Sequence, residues 1–281
     1  MNPILKRGVD ISEFNGEVDI AQLKNSGVEF VLIRCGFGGD YRHQDDKRYE
    51  DNVKKCLQAK MPWGIYLYAY AKNTDMAQEE ASHTLRLLQG KPVPEYGVWY
   101  DVEDKSLPVG KDLVAVCKTY CGKIAEAGYQ PGIYTFLSWL NQEDRLGCYA
   151  HDPQLNQYGL WYAQFYEKIT YDYPQLIHIW QYSDHLEIHG KVYDGNYAYV
   201  PFPRFQDQKA FPSAEEKTVK VYRYLEDLPQ WSKDTVQYYL ENGFLTGMGT
   251  DQQGRVILNL SEDMLRVLTI TKRMDNASQE T

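Results

Sequence analysis

Carboxylates stand in this chain where a strand pattern ordinarily excludes them. The run Tyr100-Asp101-Val102-Glu103-Asp104 follows the apolar pair Val98-Trp99. Side chains at i and i+2 of a strand share a face, about 7 Å apart along the chain, so Asp101 and Glu103 converge at the strand's C-terminal end. Repulsion and partial burial raise one of the two pKa values, which keeps a proton available near neutral pH. Asp10 lies between Val9 and Ile11, and Asp194 lies in Val192-Tyr193-Asp194-Gly195-Asn196. Aspartate is depleted in strands, so both placements are informative. Four acids aimed into one mouth suit proton chemistry on a glycosidic bond. A divalent cation is the rival occupant. The sequence has neither the D-x-D-x-D spacing of a calcium loop nor a histidine cluster, and no metal or cofactor is expected.

Aromatic residues keep company with these acids. Tyr66, Tyr68 and Tyr70 alternate along one strand-like run, Trp161 lies in another, and Trp180-Gln181-Tyr182 in a third. Near a mouth such rings suit the apolar faces of pyranoses, while Tyr hydroxyls and Gln181 can bond sugar hydroxyls or acetamido groups. Packing inside a barrel is the competing explanation for part of the set. Arg34 is expected either to hold a carboxylate ligand or to pair with Asp10 or Glu103. His178, His185 and His189 show no ligand spacing with the acids and read as exposed or packing residues.

The elements that must position these groups alternate in type. Strand-like runs occur at 9–12, 30–34, 64–70, 98–103, 132–135, 160–164, 177–182 and 191–196, with helical periodicity at 20–25, 46–60, 75–88 and 113–127. Thr74 is placed to cap the third helix. The stretches 167–176 and 183–190 are too short or irregular for full helices. Alternation of this kind implies an α/β protein with a parallel sheet, and eight strands imply a TIM-like barrel with fewer than eight helices. A doubly wound open sheet is the alternative. Closure makes the first and last strands neighbours, which brings Asp10 to Asp194.

The 281 residues carry 30 Lys+Arg against 39 Asp+Glu, a net charge of −9, with 43% hydrophobic and 25% charged residues. That is a globular composition, and its acidity argues against a nucleic-acid or anionic-membrane partner. No apolar run is long enough to span a bilayer, and residues 1–10 lack the apolar core of a signal peptide. Five cysteines, an odd number, read as buried thiols; Cys117 and Cys121 share a helix face but lack further ligands for zinc. Pro201, Pro203 and Pro212 interrupt the pattern, which gives a barrel over 1–203, a linker over 204–214 and a small, mainly helical domain over 215–281. In that domain a strand is expected at 218–224 and a helix at 230–242. A second helix should follow Leu260-Ser261, with Ser261 as cap and Leu260 packed on Leu265. So small a core is marginal alone.

Six segments in order carry a family resemblance: Gly8-Val9-Asp10-Ile11-Ser12, Tyr100-Asp101-Val102-Glu103-Asp104, Gly128-Tyr129-Gln130-Pro131-Gly132-Ile133-Tyr134, Leu160-Trp161-Tyr162-Ala163, Ile179-Trp180-Gln181-Tyr182-Ser183 and Val192-Tyr193-Asp194-Gly195-Asn196. Over roughly residues 6–200 the chain resembles glycoside hydrolase family 25 lysozymes. The resemblance implies an N-acetylmuramidase that cuts the β-1,4 bond between N-acetylmuramic acid and N-acetylglucosamine in peptidoglycan. It implies Glu103 as general acid/base, Asp101 as the group that orients or stabilises the reacting centre, and Asp10 and Asp194 lining the site, with Tyr66 and Tyr134 near the scissile sugar. Leu67 departs from relatives that often carry His there. Either a carboxylate nucleophile or attack by the substrate's own acetamido oxygen fits the resemblance.

Leu225-Glu226-Asp227-Leu228-Pro229-Gln230-Trp231, Gly243-Phe244-Leu245-Thr246-Gly247 and Ser261-Glu262-Asp263-Met264-Leu265-Arg266 are similar to an S-layer-homology-type module. That likeness implies attachment to secondary wall polymers, with self-association or simple packing as alternatives. Together the two resemblances imply an endolysin or autolysin made in the cytoplasm without a signal peptide, acting at the bacterial wall after release. A chitinase-like hydrolase of other N-acetylated glycans and a non-catalytic wall-binding protein fit the same residues.

Overall fold

Alternation with a period of two runs through eight segments, and in the computed structural model these close into a barrel. The structure describes residues 4–200 and 221–272, apart from 248, 252, 259, 262–263, 266–267 and 270–271. The barrel strands are β1 (Ile4–Ile11), β2 (Phe30–Phe37), β3 (Trp63–Tyr68), β4 (Val98–Asp101), β5 (Pro131–Phe136), β6 (Gly159–Ala163), β7 (Ile177–Ile188) and β8 (Lys191–Val200). Helices α1 (Ile20–Asn25), α2 (Tyr49–Ala59), α3 (Thr74–Leu88) and α4 (Gly110–Glu126) link the first five strands, and a single turn, α5 (Leu137–Leu140), follows β5.

Neighbours from β1 to β7 pair in parallel. The expected all-parallel sheet is corrected at the last strand, because β8 runs antiparallel to both β7 and β1. Only His189 and Gly190 separate β7 from β8, with φ of 51° and 74°. Positive φ at both central residues is the hairpin geometry that matches strand twist. Two residues cannot carry the crossover a parallel neighbour requires.

Two local expectations also change. Asn73, not Thr74, caps α3, its side-chain oxygen accepting from the Met76 N–H at 3.0 Å. Helix α2 begins at Tyr49 because the Asp46 carboxylate is buried and engaged, accepting from Arg34 Nε at 2.9 Å and from the Arg48 and Glu13 N–H groups.

Strand parity divides the core into two shells. Val31, Ile33, Ile65, Leu67, Val98, Tyr100 and Ile133 face outward against the helices. Phe30, Leu32, Tyr66, Trp99, Tyr134, Trp161 and Ile179 fill the lumen. The largest lumen rings fit because glycines face them: a Cβ on Gly132 would lie 2.2 Å from the Trp99 ring, and one on Gly8 would lie 2.3 Å from Phe30. All five cysteines are free, four of them buried. Among the described residues no helix is long and apolar enough to cross a membrane.

The chain divides into units 1–209 and 210–281. In the second, β9 (Val221–Tyr222) pairs antiparallel with β10 (Leu260–Ser261), and α6 spans Gln230–Glu241. Tyr222, Leu228, Val236, Leu258, Leu260 and Leu265 form its core, so Leu260 and Leu265 do share one cluster. Ser261 is the last residue of β10, and helical conformation resumes at Met264 and Leu265. The linker at 204–214 and the start of the expected strand at 218–220 lie outside the described residues.

The glycine–tryptophan fit has a measurable consequence. Gly132→Ala drives a methyl group into a rigid indole and should lower unfolding stability by about 3 kcal/mol in urea titrations. Combined with Trp99→Leu, the loss should be smaller than the sum of the two single losses. Additive losses would show that the two residues do not share this contact.

Candidate active site

The lumen rises from apolar to acidic along its axis. Trp99 and Phe30 close the end nearest the strand N-termini. Toward the C-terminal ends comes Trp161, 1% exposed, edge-on to Tyr66 with ring centres 5.5 Å apart and tilted against Tyr134 at 4.5 Å. Next on the same faces stand Asp10, Asp101, Gln181 and Asn196, all buried, and at the rim Glu103, Asp194 and Tyr68, all half-buried. Parity explains the membership. Trp99 and Asp101 share the inward face of β4, and Glu103 continues it beyond the strand end. Asp10 and Asp194 are direct partners in the β1–β8 register.

Hydrogen bonds hold Asp10 tightly. Its Oδ2 accepts from Gln181 Nε2 at 2.9 Å and from Asn196 Nδ2 at 2.7 Å. Each amide is itself oriented: the Trp161 indole N–H donates to Asn196 Oδ1 at 2.8 Å, and the Tyr134 hydroxyl donates to Gln181 Oε1 at 2.9 Å. A further side-chain hydrogen bond joins Asp10 to Asp194. Asp101 differs, because its buried Oδ1 has no hydrogen-bond partner among the described residues. At the rim the Tyr68 hydroxyl donates to Asp104 at 3.3 Å.

Removal from water dominates the electrostatics. Burial, then the charges of Asp194 and Asp104, pushes Glu103 up to about 7. Burial pushes Asp194 up to about 6, opposed by its bond from Asp10. Asp101 is raised well above the usual carboxylate range by burial and by repulsion from Glu103 and Asp10, with Arg34 opposing. Asp10 is likewise raised, by burial and by Asp194. Asp10, Asp101 and a share of Glu103 therefore retain protons at neutral pH, while Asp194 is mostly ionised. Glu80 is also pushed up to about 7 by burial, but it belongs to the outer shell, where it accepts from the Tyr100 hydroxyl and the Tyr70 N–H.

The residues singled out from sequence are placed unevenly. Asp10, Asp101, Glu103, Asp194, Tyr66, Tyr68, Tyr134 and Gln181 share the lumen or its rim. Trp180 does not. It alternates with the inward Ile179 and Gln181, lies outside the barrel beside Tyr182 and Tyr197, and donates to the Gln164 carbonyl at 2.9 Å. Trp161 is inward but too deep to touch a ligand, so it serves as floor. Arg34 pairs with neither Asp10 nor Glu103; its Nη2 meets Glu13 at 2.8 Å and its Nε meets Asp46, with the exposed Phe14 ring against the guanidinium at 4.6 Å. Leu67 is buried in the outer shell, so its departure from the resembled pattern does not face the lumen. Sequence reasoning missed Asn196 and Phe136, although Phe136 shares the inward face of Tyr134 and Asn196 that of Asp194.

Among the described residues no group of three or more His, Cys, Asp or Glu side chains is disposed to hold a metal ion. A separate surface cavity of about 680 Å³, lined in part by Asp19, Lys55, Lys191 and Tyr193, contains none of the four acids.

Carboxyls that keep their protons over aromatic rings are equipped to split a glycosidic bond, and at the strand ends of a barrel they place the protein among the glycoside hydrolases. Residues 9–191 match glycosyl hydrolases family 25, and the chain belongs to that family. Among solved structures it is similar to the modular autolysin LytC from Streptococcus pneumoniae, in complex with a synthetic peptidoglycan ligand, at 25% identity and TM-score 0.60, covering 69% of this chain and 47% of that one. The CTP1L endolysin matches at 20% identity and TM-score 0.58 over 85% of this chain and 80% of that one. The catalytic domain of endolysin ply40 from bacteriophage P40 of Listeria monocytogenes matches at 21% and 0.55, over 73% and 98%. The chain thus spans about half the length of LytC. No curated protein sequence matches significantly.

Raised carboxyl pKa values make a stability statement. Glu103 holds a proton in the folded chain up to about pH 7 but loses it near 4.5 when unfolded, so its contribution is full below about pH 4.5 and is lost as pH rises through 7. Glu103→Gln should therefore be more stable than the parent at pH 8 and equal to it at pH 4. Chemical denaturation at both values checks this; an equal offset at the two would refute the shift.

Proposed function

We propose that this chain hydrolyses the β-1,4 linkage between N-acetylmuramic acid and N-acetylglucosamine in peptidoglycan. The observation that carries the reading is the pair at the end of β4: Asp101, with a buried and unpartnered Oδ1, and Glu103, half-buried and held at about 7. A buried carboxyl oxygen without a partner is costly unless a ligand supplies one, and a substrate acetamido N–H is the right donor. The peptidoglycan ligand named with LytC supports the same substrate class.

In this reading Glu103 gives its proton to the glycosidic oxygen as the bond breaks. The acetamido carbonyl oxygen of the same sugar attacks the anomeric carbon, and Asp101 steadies the oxazolinium that forms by accepting its N–H. Glu103, now a carboxylate, takes a proton from the water that opens the ring. Substrate assistance is favoured over a carboxylate nucleophile because a nucleophilic carboxylate must be ionised, and burial pushes both Asp101 and Asp10 the other way.

For the second unit we infer attachment to a wall polymer through a module of the S-layer-homology type, so that the enzyme works at the bacterial wall after release from the cytoplasm that makes it. Trp231 and Tyr238, 48% and 41% exposed, lie seven residues apart on one side of α6, a spacing that lines up two rings for a glycan. Self-association through the same rings is the competing use.

Mass spectrometry of digested peptidoglycan should find new reducing ends on muramic acid; ends on glucosamine, or cut peptides alone, would overturn the assignment. Glu103→Gln should lower kcat by about 10²–10⁴-fold, the usual weight of a general acid. A chain ending at residue 209 should lose activity on whole walls while keeping it on soluble fragments; equal loss on both rejects wall attachment.

A further inference from the structure

The amides beneath Asp10 carry a role that the reaction scheme above does not use. An indole N–H can only donate, so Trp161 compels Asn196 to turn Oδ1 toward it and Nδ2 toward Asp10. The Tyr134 hydroxyl likewise occupies Gln181 Oε1 and leaves Nε2 for Asp10. Both N–H groups therefore reach the same atom, Oδ2. An oxygen that accepts two such bonds is a poor place for a proton. The remaining oxygen, Oδ1, is left to carry it.

We propose that Trp161 and Asn196 are positioning residues, which force the proton of the Asp10–Asp194 pair onto the Asp10 oxygen that the two amides leave free and so keep Asp194 the anionic member. The proposal rests on the glycosidase reading for its catalytic consequence. Asp194 acts on Glu103 by charge, so an anionic Asp194 holds the proton on Glu103. The titratable groups around Asp10 are Asp194 from β8, Asp101 beyond which Glu103 lies on β4's continuation, Tyr66 from β3 and Tyr134 from β5. Arg34 from β2 acts on Asp101 and is already paired with Glu13 and Asp46. None of these supplies the one-way donor that Trp161 does; the Asp194 carbonyl, accepting from Asn196 Nδ2 at the longer distance of 3.3 Å, favours the same orientation more weakly. If the amide of Asn196 turned over, its oxygen would face Asp10 Oδ2 and attract the proton there. Asp194 would then lose its donor, and its charge would no longer be held in place beside Glu103.

The test is Trp161→Phe, which keeps a ring and removes the N–H, compared with Trp99→Phe. The Trp99 indole donates to the Tyr96 carbonyl at the apolar end of the lumen. In the full chain the basic limb of the kcat/KM pH profile should move to lower pH by about half a unit or more for Trp161→Phe, with KM unchanged. It should stay in place for Trp99→Phe. Carbon-13 titration of the carboxyl groups without substrate should show the same downward movement for Glu103. Tyr134→Phe, which frees Gln181, should reproduce a smaller shift and stands in if Trp161→Phe does not fold. Profiles that coincide with the parent, or that move equally in Trp161→Phe and Trp99→Phe, overturn the proposal. A parent chain inactive on peptidoglycan would reject the functional reading instead, and the carboxyl titration would still decide the proton's position.

Discussion

Taking a carboxylate out of water costs several kcal/mol unless a cation or a proton goes with it. Asp10, Asp101 and Glu103 meet that cost with protons, and Asp194 is steadied by its bond from Asp10. The cation that acts on Asp101 is Arg34, and it is already shared by Glu13 and Asp46. Amide donors satisfy one oxygen of Asp10, and a further side-chain bond joins the residue to Asp194. Proton retention is therefore a consequence of where these side chains stand, and a group that retains a proton near pH 7 can deliver it to a leaving oxygen.

That arrangement depends on a floor that water cannot cross. Trp99 and Phe30 seal the lumen only because Gly132, Gly159 and Gly8 present no side chain to them. Trp161, Tyr66 and Tyr134 then form a second layer of rings on which the acids rest. Trp161 serves both the floor and the network above it. Its ring excludes water from below, and its single N–H orients the polar network above. Outside the strands the aliphatic shell against α1–α4 stabilises the barrel without contributing to the mouth.

Much of this was legible because strand parity is a strict rule. Asp101 and Glu103, two apart at the end of an apolar run, had to share a face. Asp10 and Asp194 had to meet once closure was assumed. The same rule, fully applied, excludes Trp180, since Gln181 beside it is inward; only one of two adjacent strand residues faces the lumen. Depth was less legible. Parity says that Trp161 points inward but not how far below the rim it sits, which follows from strand stagger across the whole barrel. Arg34 was expected against Asp10 or Glu103, but its partners come from loops, Glu13 and Asp46, whose approach no period reveals. Asn196 carries no chemistry of its own and becomes significant only beside Asp10 and Trp161.

The reversed last strand decides the pairing of the acids. Residues directly opposite in an antiparallel pair bring their Cβ atoms within about 5.5 Å, and the β1–β8 register sets Asp194 against Asp10 and Asn196 against Gly8. From that position the Asn196 amide reaches Asp10 Oδ2 at 2.7 Å. A parallel eighth strand would need a crossover of a dozen residues or more where the chain supplies two. It would also leave the barrel at the mouth. Here β8 ends with Val200 opposite Ile4, at the closed end. The turn at His189–Gly190 thus accounts at once for the meeting of Asp10 with Asp194 and for the amide beneath them.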